Sequence, residues 1–208
     1  MRWTVVIPAK ALPEAKSRLL PALADPAAHR ALVTAIRSDT LAAAQAAPGV
    51  ARVLLVVDRP GDPATLGGLV LVQTRPGLNA ALAEAAEHAA TSWPQDGVAA
   101  LVGDLPALRP AELGAALAAA AGEPRSFVPD AAGTGTTLLA VTPGTELHPR
   151  FGDGSAARHR ADAVELSAGD GLRHDVDTGE DLFSAARLPL GPATAAVLAA
   201  VDVTARSP

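Results

Sequence analysis

Residues 98–106 read Val98-Ala-Ala-Leu-Val-Gly-Asp-Leu-Pro106. The apolar run Val98 to Val102 has the length and character of a strand buried on both faces, and Gly103-Asp104-Leu105-Pro106 stops it abruptly. A carboxylate therefore stands at a strand end. In open α/β sheets ligands bind outside the carboxyl ends of the strands, which puts Asp104 where catalytic and metal-binding groups collect. The alternative is an Asp that only caps the turn before a helix starting near Pro110.

Outward from this strand the chain alternates. Thr4 to Ile7, Ala51 to Val57 and Leu69 to Gln73 read as strands. Pro26 to Ala47, Leu78 to Ala90 and Pro110 to Ala121 carry apolar residues at helical spacing. Strand and helix in turn are the signature of a mostly parallel sheet with helices on both faces, so the first half is Rossmann-like. Beyond Gly122 the runs shorten and the loops fill with Gly, Asp, Ser and Thr. Ser126 to Val128, Thr136 to Val141 and Ala163 to Leu166 read as strands, and Leu172 to Asp177 as an extended piece. A short helix runs from Ser155 through His159, Thr178 is an N-cap for Gly179 to Arg187, and Pro192 to Ala200 is the last helix. No repeat or long linker divides residues 1–208, which are expected to form one α/β domain.

The chain has 208 residues, 49% of them hydrophobic, enough to bury a full core. A formal charge of −5 argues against nucleic acid or an anionic membrane as a partner. The absence of cysteine excludes disulfides and thiolate zinc sites and fits a reducing compartment. No signal peptide and no run of membrane-spanning length is visible, so a cytoplasmic location is expected. Lys10 and Lys16 are the only lysines, and both fall in the first loop; every other cation in this alanine-rich sequence is arginine. Lysine offers phosphate a compact point charge where arginine offers a planar fork. The alternative is a pair of solvated surface residues.

Asp175-Val176-Asp177 places two carboxylates on the same side of an extended segment, where they can share a divalent cation with Asp104. Hard oxygen donors without cysteine or paired histidines favour magnesium or manganese; the alternative is a solvated turn. The Gly133-Thr-Gly-Thr-Thr137 turn offers backbone N–H groups and hydroxyls to an anion, or is simply a hairpin turn. The Gly152-to-Ser155 turn reads either as an anion site at a helix start or as an ordinary N-cap. No Walker loop and no G-x-G-x-x-G is present. Ser155 and His159 lie one helical turn apart, but Gly-Asp-Gly-Ser-Ala is not a nucleophile elbow and no third triad member is marked. His174, beside Asp175, is a candidate for tuning a metal site from outside. Anion-friendly loops, lysines and an acidic set together describe transfer between phosphates.

These residues resemble a known family. Ile7-Pro-Ala-Lys10 with Ala15-Lys-Ser-Arg-Leu19, Gly77-Leu-Asn-Ala-Ala-Leu82, Gly103-Asp-Leu-Pro106, Gly133-Thr-Gly-Thr-Thr137, Phe151-Gly-Asp-Gly-Ser155 with His159, and Asp175-Val-Asp-Thr178 are similar to the phospholactate and phosphoenolpyruvate guanylyltransferases of deazaflavin coenzyme (coenzyme F-420) biosynthesis. The resemblance covers nearly the whole chain; Ala9, where a bulkier apolar residue is usual, departs from it. It implies a single-domain nucleotidyltransferase fold of the glycosyltransferase-A type, like that of molybdopterin guanylyltransferases, with residues 1–121 holding the nucleotide and residues 122–208 the acceptor. It also implies GTP and phosphoenolpyruvate as substrates, magnesium as cofactor and manganese as a substitute. By the same resemblance Asp104, Asp175 and Asp177 would hold the metal, and Thr136, Gly152 and Ser155 the phosphorylated acid. Lys10, Lys16 and Arg18 would face the triphosphate, and Gly77 and Asn79 would lie near the nucleoside. 2-Phospho-L-lactate and 3-phosphoglycerate stay open as acceptors, as does hand-over of a labile product to a downstream transferase. The other readings are a different nucleotidyl- or glycosyltransferase and a non-catalytic nucleotide-binding protein.

Overall fold

The computed structural model describes residues 1–9, 25–59 and 68–200. Strands β1 (Trp3–Ala9), β2 (Val50–Val57), β3 (Leu69–Val72) and β4 (Gly97–Leu101) lie parallel, with α1 (Pro26–Ala46) between β1 and β2 and α2 (Leu78–Ser92) between β3 and β4. Helix α3 (Pro110–Ala120) leads to β5 (Arg125–Pro129), which turns back into β6 (Thr136–Val141). β6 pairs antiparallel with both β4 and β5. The chain continues through α4 (Ser155–Arg160), β7 (Val164–Glu165), α5 (Asp170–Arg173), α6 (Gly179–Ala185) and α7 (Pro192–Ala200). One mixed, mostly parallel sheet results, in the order β3-β2-β1-β4-β6-β5-β7.

Because successive strand side chains face opposite ways, each central strand feeds two cores. Val5, Ile7, Val53, Leu55, Ala99 and Leu101 meet Leu41 of α1 and Leu113 and Leu117 of α3. Val6, Leu54, Val56, Val98 and Ala100 meet Leu82, Ala85 and Ala89 of α2. The continuous apolar runs read from the sequence are strands covered on both faces. A third cluster joins Leu32, Val33 and Ile36 of α1 to Val176 and to Leu182 and Ala185 of α6, which seats the C-terminal segment against the first helix. The chain leaves β1 for β2 on one side and returns for β4 on the other, so the carboxyl ends of β1 and β4 flank a topological switch point.

Two expectations need correction. Leu172–Asp177 is not extended throughout: Asp170–Arg173 forms a helical turn, closed by the His174 N–H donating to the Asp170 carbonyl at 3.0 Å, with Leu172 fully buried. That turn packs so tightly on α3 and the segment leading into it that a Cβ at Gly171 would lie 2.2 Å from the Ala107 carbonyl oxygen and 2.4 Å from the Glu112 carboxylate of α3. The strand at Ala163–Leu166 shrinks to Val164–Glu165 at the sheet edge, where only β5 is available to pair. The N-cap at Thr178 forms as a capping box: its hydroxyl accepts from the Asp181 N–H at 3.2 Å, and Asp181 accepts from the Thr178 N–H at 2.8 Å.

Asp39 of α1 points inward and is 8% exposed. Its carboxylate accepts from the N–H groups of Ala193 at 3.1 Å and Thr194 at 2.7 Å, donors that the start of α7 leaves without helical partners. Asp39→Ala strands these donors in a buried position and is expected to lower stability by about 1–3 kcal/mol. Urea unfolding followed by circular dichroism checks this, with Asp39→Asn, which keeps one acceptor, losing less.

Candidate active site

A cleft of about 480 Å³ opens at the switch point, within the range usual for small-molecule sites. Pro8 of β1, Val102 and Asp104 beyond β4, and Ile36 and Arg37 of α1 form one side. Asp130, Thr134 to Thr136, Phe151 to Ser155, Asp175 and Asp177 line the cleft as well. The structure thus brings Asp104, Asp175, Asp177, Thr136, Gly152 and Ser155 around a single cavity. Gly77 and Asn79 are not among the described residues of its wall, although Leu78 between them is. Lys10, Lys16 and Arg18 lie outside the described residues.

The acidic side is built by backbone ties. The Val176 N–H donates to the Asp104 carbonyl at 3.1 Å, and the Asp177 N–H to the Asp181 carboxylate at 3.1 Å. Val176 is fully buried against α1, so Asp175 and Asp177, one residue to either side, face the cavity together. The turn bearing Asp104 is fixed in its turn by the Thr40 hydroxyl of α1, which accepts the Leu105 N–H at 2.9 Å. Burial, followed by the charges of Asp104, Asp177 and Asp130, pushes the Asp175 carboxyl up to about 7. Among the described residues no three acidic or histidine side chains close into a complete metal cage. The carboxylates instead stand around an open cavity, the arrangement suited to a hard cation that keeps water and substrate oxygens as ligands. Their mutual repulsion is what such a cation relieves. His174 does not join them: its Nδ1 meets the Asp170 carbonyl at 2.9 Å.

The opposite side is a hairpin whose glycines serve the chain itself. The Thr134 and Gly135 N–H groups donate to the two oxygens of Asp130, at 2.9 and 2.7 Å, and the Gly133 N–H donates to the Asp130 carbonyl at 3.1 Å. These amides are therefore spent on an internal turn and are not the anion donors expected from the sequence; side chains such as Thr136 face the cavity instead. Gly135 is required because a Cβ there would lie 2.4 Å from the Asp130 carboxylate.

Gly152 and Gly154 adopt φ values of +112° and +70°, giving the loop before α4 a shape that L side chains strain. The Arg158 guanidinium holds that loop by donating to the carbonyls of Asp153 at 2.7 Å, Arg150 at 3.1 Å and Gly152 at 3.2 Å. Asn79 grips it from α2, accepting the Phe151 N–H at 2.7 Å and donating to the Phe151 carbonyl at 3.1 Å. His159 is fully buried between Phe127 and Phe151, and its Nδ1 lies 2.9 Å from the Thr136 hydroxyl, not on Ser155. Burial lowers its pKa to about 4; the nearby Arg150, Arg158 and Arg125 act in the same direction against an opposing pull from Asp162.

Arg37, Asp130 and Arg158 were not singled out by sequence reasoning. For Arg37 the signal was an arginine set among Val33, Ile36 and Thr40 on the buried side of a helix. Among the described residues it is the one cation of the cavity wall.

The fold is that of the nucleotidyltransferases. A Desulfovibrio desulfuricans protein described as a nucleotide-diphospho-sugar transferase superposes with a TM-score of 0.73 at 17% identity, over 96% of this chain and 95% of that one. CMP:2-keto-3-deoxy-manno-octonic acid synthetase, solved with CTP, gives 0.55 at 17% identity over 88% and 96%. A Mycobacterium tuberculosis protein solved with manganese, Rv0371c, gives 0.55 at 20% identity over 89% and 98%. No family model matches the chain. Phosphoenolpyruvate guanylyltransferase of Streptomyces coelicolor is 55% identical over 206 residues, covering 96% of this chain and 97% of that one. The protein of the same name from Geodermatophilus obscurus is 54% identical over 206 residues and 94% of each chain. The chain belongs to the phosphoenolpyruvate guanylyltransferase family.

The raised Asp175 pKa fixes the sign of a pH effect. In the unfolded chain Asp175 ionises in the ordinary carboxylate range, whereas in the fold it holds its proton up to about 7. The stability penalty is therefore absent in acid, accumulates as pH rises towards 7 and is complete above it. With metal removed by chelator, Asp175→Asn is expected to melt a few degrees higher than the native protein at about pH 8, with the gain shrinking towards about pH 5. Differential scanning calorimetry at the two pH values measures this.

Proposed function

We propose that this chain transfers GMP from GTP to phosphoenolpyruvate, releasing pyrophosphate and forming enolpyruvyl-diphospho-guanosine. The observation that carries the reading is one cleft at the switch point, lined by Asp104, Asp175, Asp177, Thr136, Gly152 and Ser155, in a chain similar along its length to phosphoenolpyruvate guanylyltransferases. Residues 1–121 form the nucleotide side and residues 122–208 the acceptor side. A phosphate oxygen of the acceptor attacks the α-phosphorus of GTP in line, a new P–O bond forms, and the bond to the β-phosphate breaks. The attacking oxygen already carries negative charge near neutral pH, so no side chain has to remove a proton. That fits a cavity whose wall, among the described residues, holds no histidine, His159 lying buried behind Thr136.

The residues' part is positioning and charge control. Thr136, Gly152 and Ser155 hold the phosphorylated acid against the hairpin and the loop before α4. Lys10, Lys16 and Arg18, by family resemblance, face the triphosphate. Asp104, Asp175 and Asp177 fit a magnesium ion, with manganese as a substitute, since all offer hard oxygen donors to one open cavity. When bound, such an ion neutralises charge spread over the transferring phosphoryl group. A labile product would pass directly to a downstream transferase.

The experiment is pyrophosphate release from GTP and magnesium with phosphoenolpyruvate, 2-phospho-L-lactate, 3-phosphoglycerate or no acceptor. Release that depends on phosphoenolpyruvate is expected; preference for another acid reassigns the acceptor, and no release from any of them removes the reaction. Asp104→Asn and Asp177→Asn are each expected to lower turnover by about a hundredfold or more with far-ultraviolet circular dichroism unchanged. Lys16→Ala is expected to lose at least about tenfold in kcat/KM, while Arg187→Ala, beyond the end of α6, keeps native activity. Equal values for these last two variants would remove Lys16 from the triphosphate site.

A further inference from the structure

His159 has a hydrogen-bond pattern that the proposed reaction does not use. The backbone N–H of Arg150 donates to its Nε2 at 3.0 Å, so that nitrogen carries no hydrogen: a second N–H there would point at the first. A neutral imidazole must then carry its hydrogen on Nδ1, and Nδ1 stands 2.9 Å from the Thr136 hydroxyl oxygen. The hydroxyl accepts that hydrogen and is left holding its own. Among the described residues nothing else in the protein takes the hydroxyl hydrogen of Thr136, and Thr136 lines the cleft.

We infer that His159 is a positioning residue: by donating from Nδ1 to Thr136 it directs the Thr136 hydroxyl hydrogen into the cavity, as a fixed donor to an ionised oxygen of the acceptor acid. The inference rests on the reading that this cavity takes a phosphorylated acid. The surroundings preserve the arrangement. The ring is fully buried, with Phe151 edge-on at 5.3 Å and Phe127 at 6.0 Å, and burial keeps it neutral across the physiological range. The Thr134 and Gly135 amides are consumed by Asp130, which leaves this part of the hairpin the hydroxyls of Thr134 and Thr136 to present to a ligand, and of the two only that of Thr136 is oriented by His159. A threonine alone would rotate its hydroxyl among several directions; with its oxygen engaged by His159 the direction is chosen before the acceptor arrives.

Two measurements test this. In the nitrogen-15-labelled native protein, long-range proton–nitrogen correlation, assigned by the signal lost in His159→Gln, should show His159 neutral with its hydrogen on Nδ1 between about pH 6 and 8. A hydrogen on Nε2, or titration within that range, overturns the inference whatever the kinetics give. In the pyrophosphate assay Thr136→Val should raise the KM for phosphoenolpyruvate about ten- to a hundredfold with the KM for GTP unchanged, and Thr136→Ser should stay near native. His159→Gln should raise the same KM, and adding it to Thr136→Val should cost nothing more, since His159 acts through that hydroxyl; a merely structural histidine would add its own loss. Should His159→Gln fail to fold, the spectrum is assigned instead by the signal that shifts in Thr136→Val, and the threonine pair still decides. Native release with an unchanged KM in Thr136→Val overturns the inference and leaves the proposed reaction standing. If the native enzyme releases nothing with any acid, the reaction falls, and calorimetric binding of phosphoenolpyruvate then decides. Weaker binding by Thr136→Val supports the inference; equal or absent binding overturns it.

Discussion

The bond from the Val176 N–H to the Asp104 carbonyl, 3.1 Å long, is the constraint on which the cavity depends. It fastens a segment from the far end of the chain to the turn that ends the central strand. Burial of Val176 against α1 fixes the rotation of that segment, and the alternation of an extended backbone then delivers both neighbouring carboxylates to one side. Everything beneath serves this tie: α1 supplies the apolar seat, and Thr40 on the same helix holds the turn.

The arrangement sets stability against chemistry. Asp104, Asp130, Asp175 and Asp177 converge in a half-buried space, and Asp175 holds its proton to about 7 as a result. Perturbed carboxylates of this kind gather at functional sites because a cleft built to meet a cation must be strained without one. Two other buried carboxylates are met within the fold: Asp96 by Arg2 at 3.2 Å and by Arg52, and Asp39 by the first amides of α7.

Most of the fold was legible in the sequence, because the doubly covered strands are uninterrupted apolar runs and the first three helices carry their period plainly. The acidic set was legible for the same reason: a carboxylate at a strand end and a D-x-D need only local geometry to be read. The resemblance to the guanylyltransferases, which the relatives bear out, rested on six short motifs in order. What escaped was pairing between distant residues. Nothing near Asn79 announces that its amide grips Phe151, and nothing near Asp130 says that its carboxylate, not a ligand, takes the glycine-turn amides. His159 was weighed against Ser155, its helical neighbour, whereas its partner sits on a strand 23 residues earlier. The helical turn at Asp170–Arg173 was missed because its stability comes from packing on α3 and not from its own residues.

The antiparallel pairing of β4 with β6 has a mechanical meaning. Leu101 faces Leu138 across the ladder, and the Val102 N–H continues it by donating to the Thr137 carbonyl at 3.0 Å, so hydrogen bonding runs to the edge of the cleft. Asp104 lies just past the end of one strand and Thr136 begins the other, which fixes the distance between these two banks of the cleft by strand spacing and not by loop posture. The sheet is in effect a caliper set to one gap. Loop substitutions can change what is gripped at either jaw, but the span between the jaws is written into the backbone, and whatever the cleft binds must fit it.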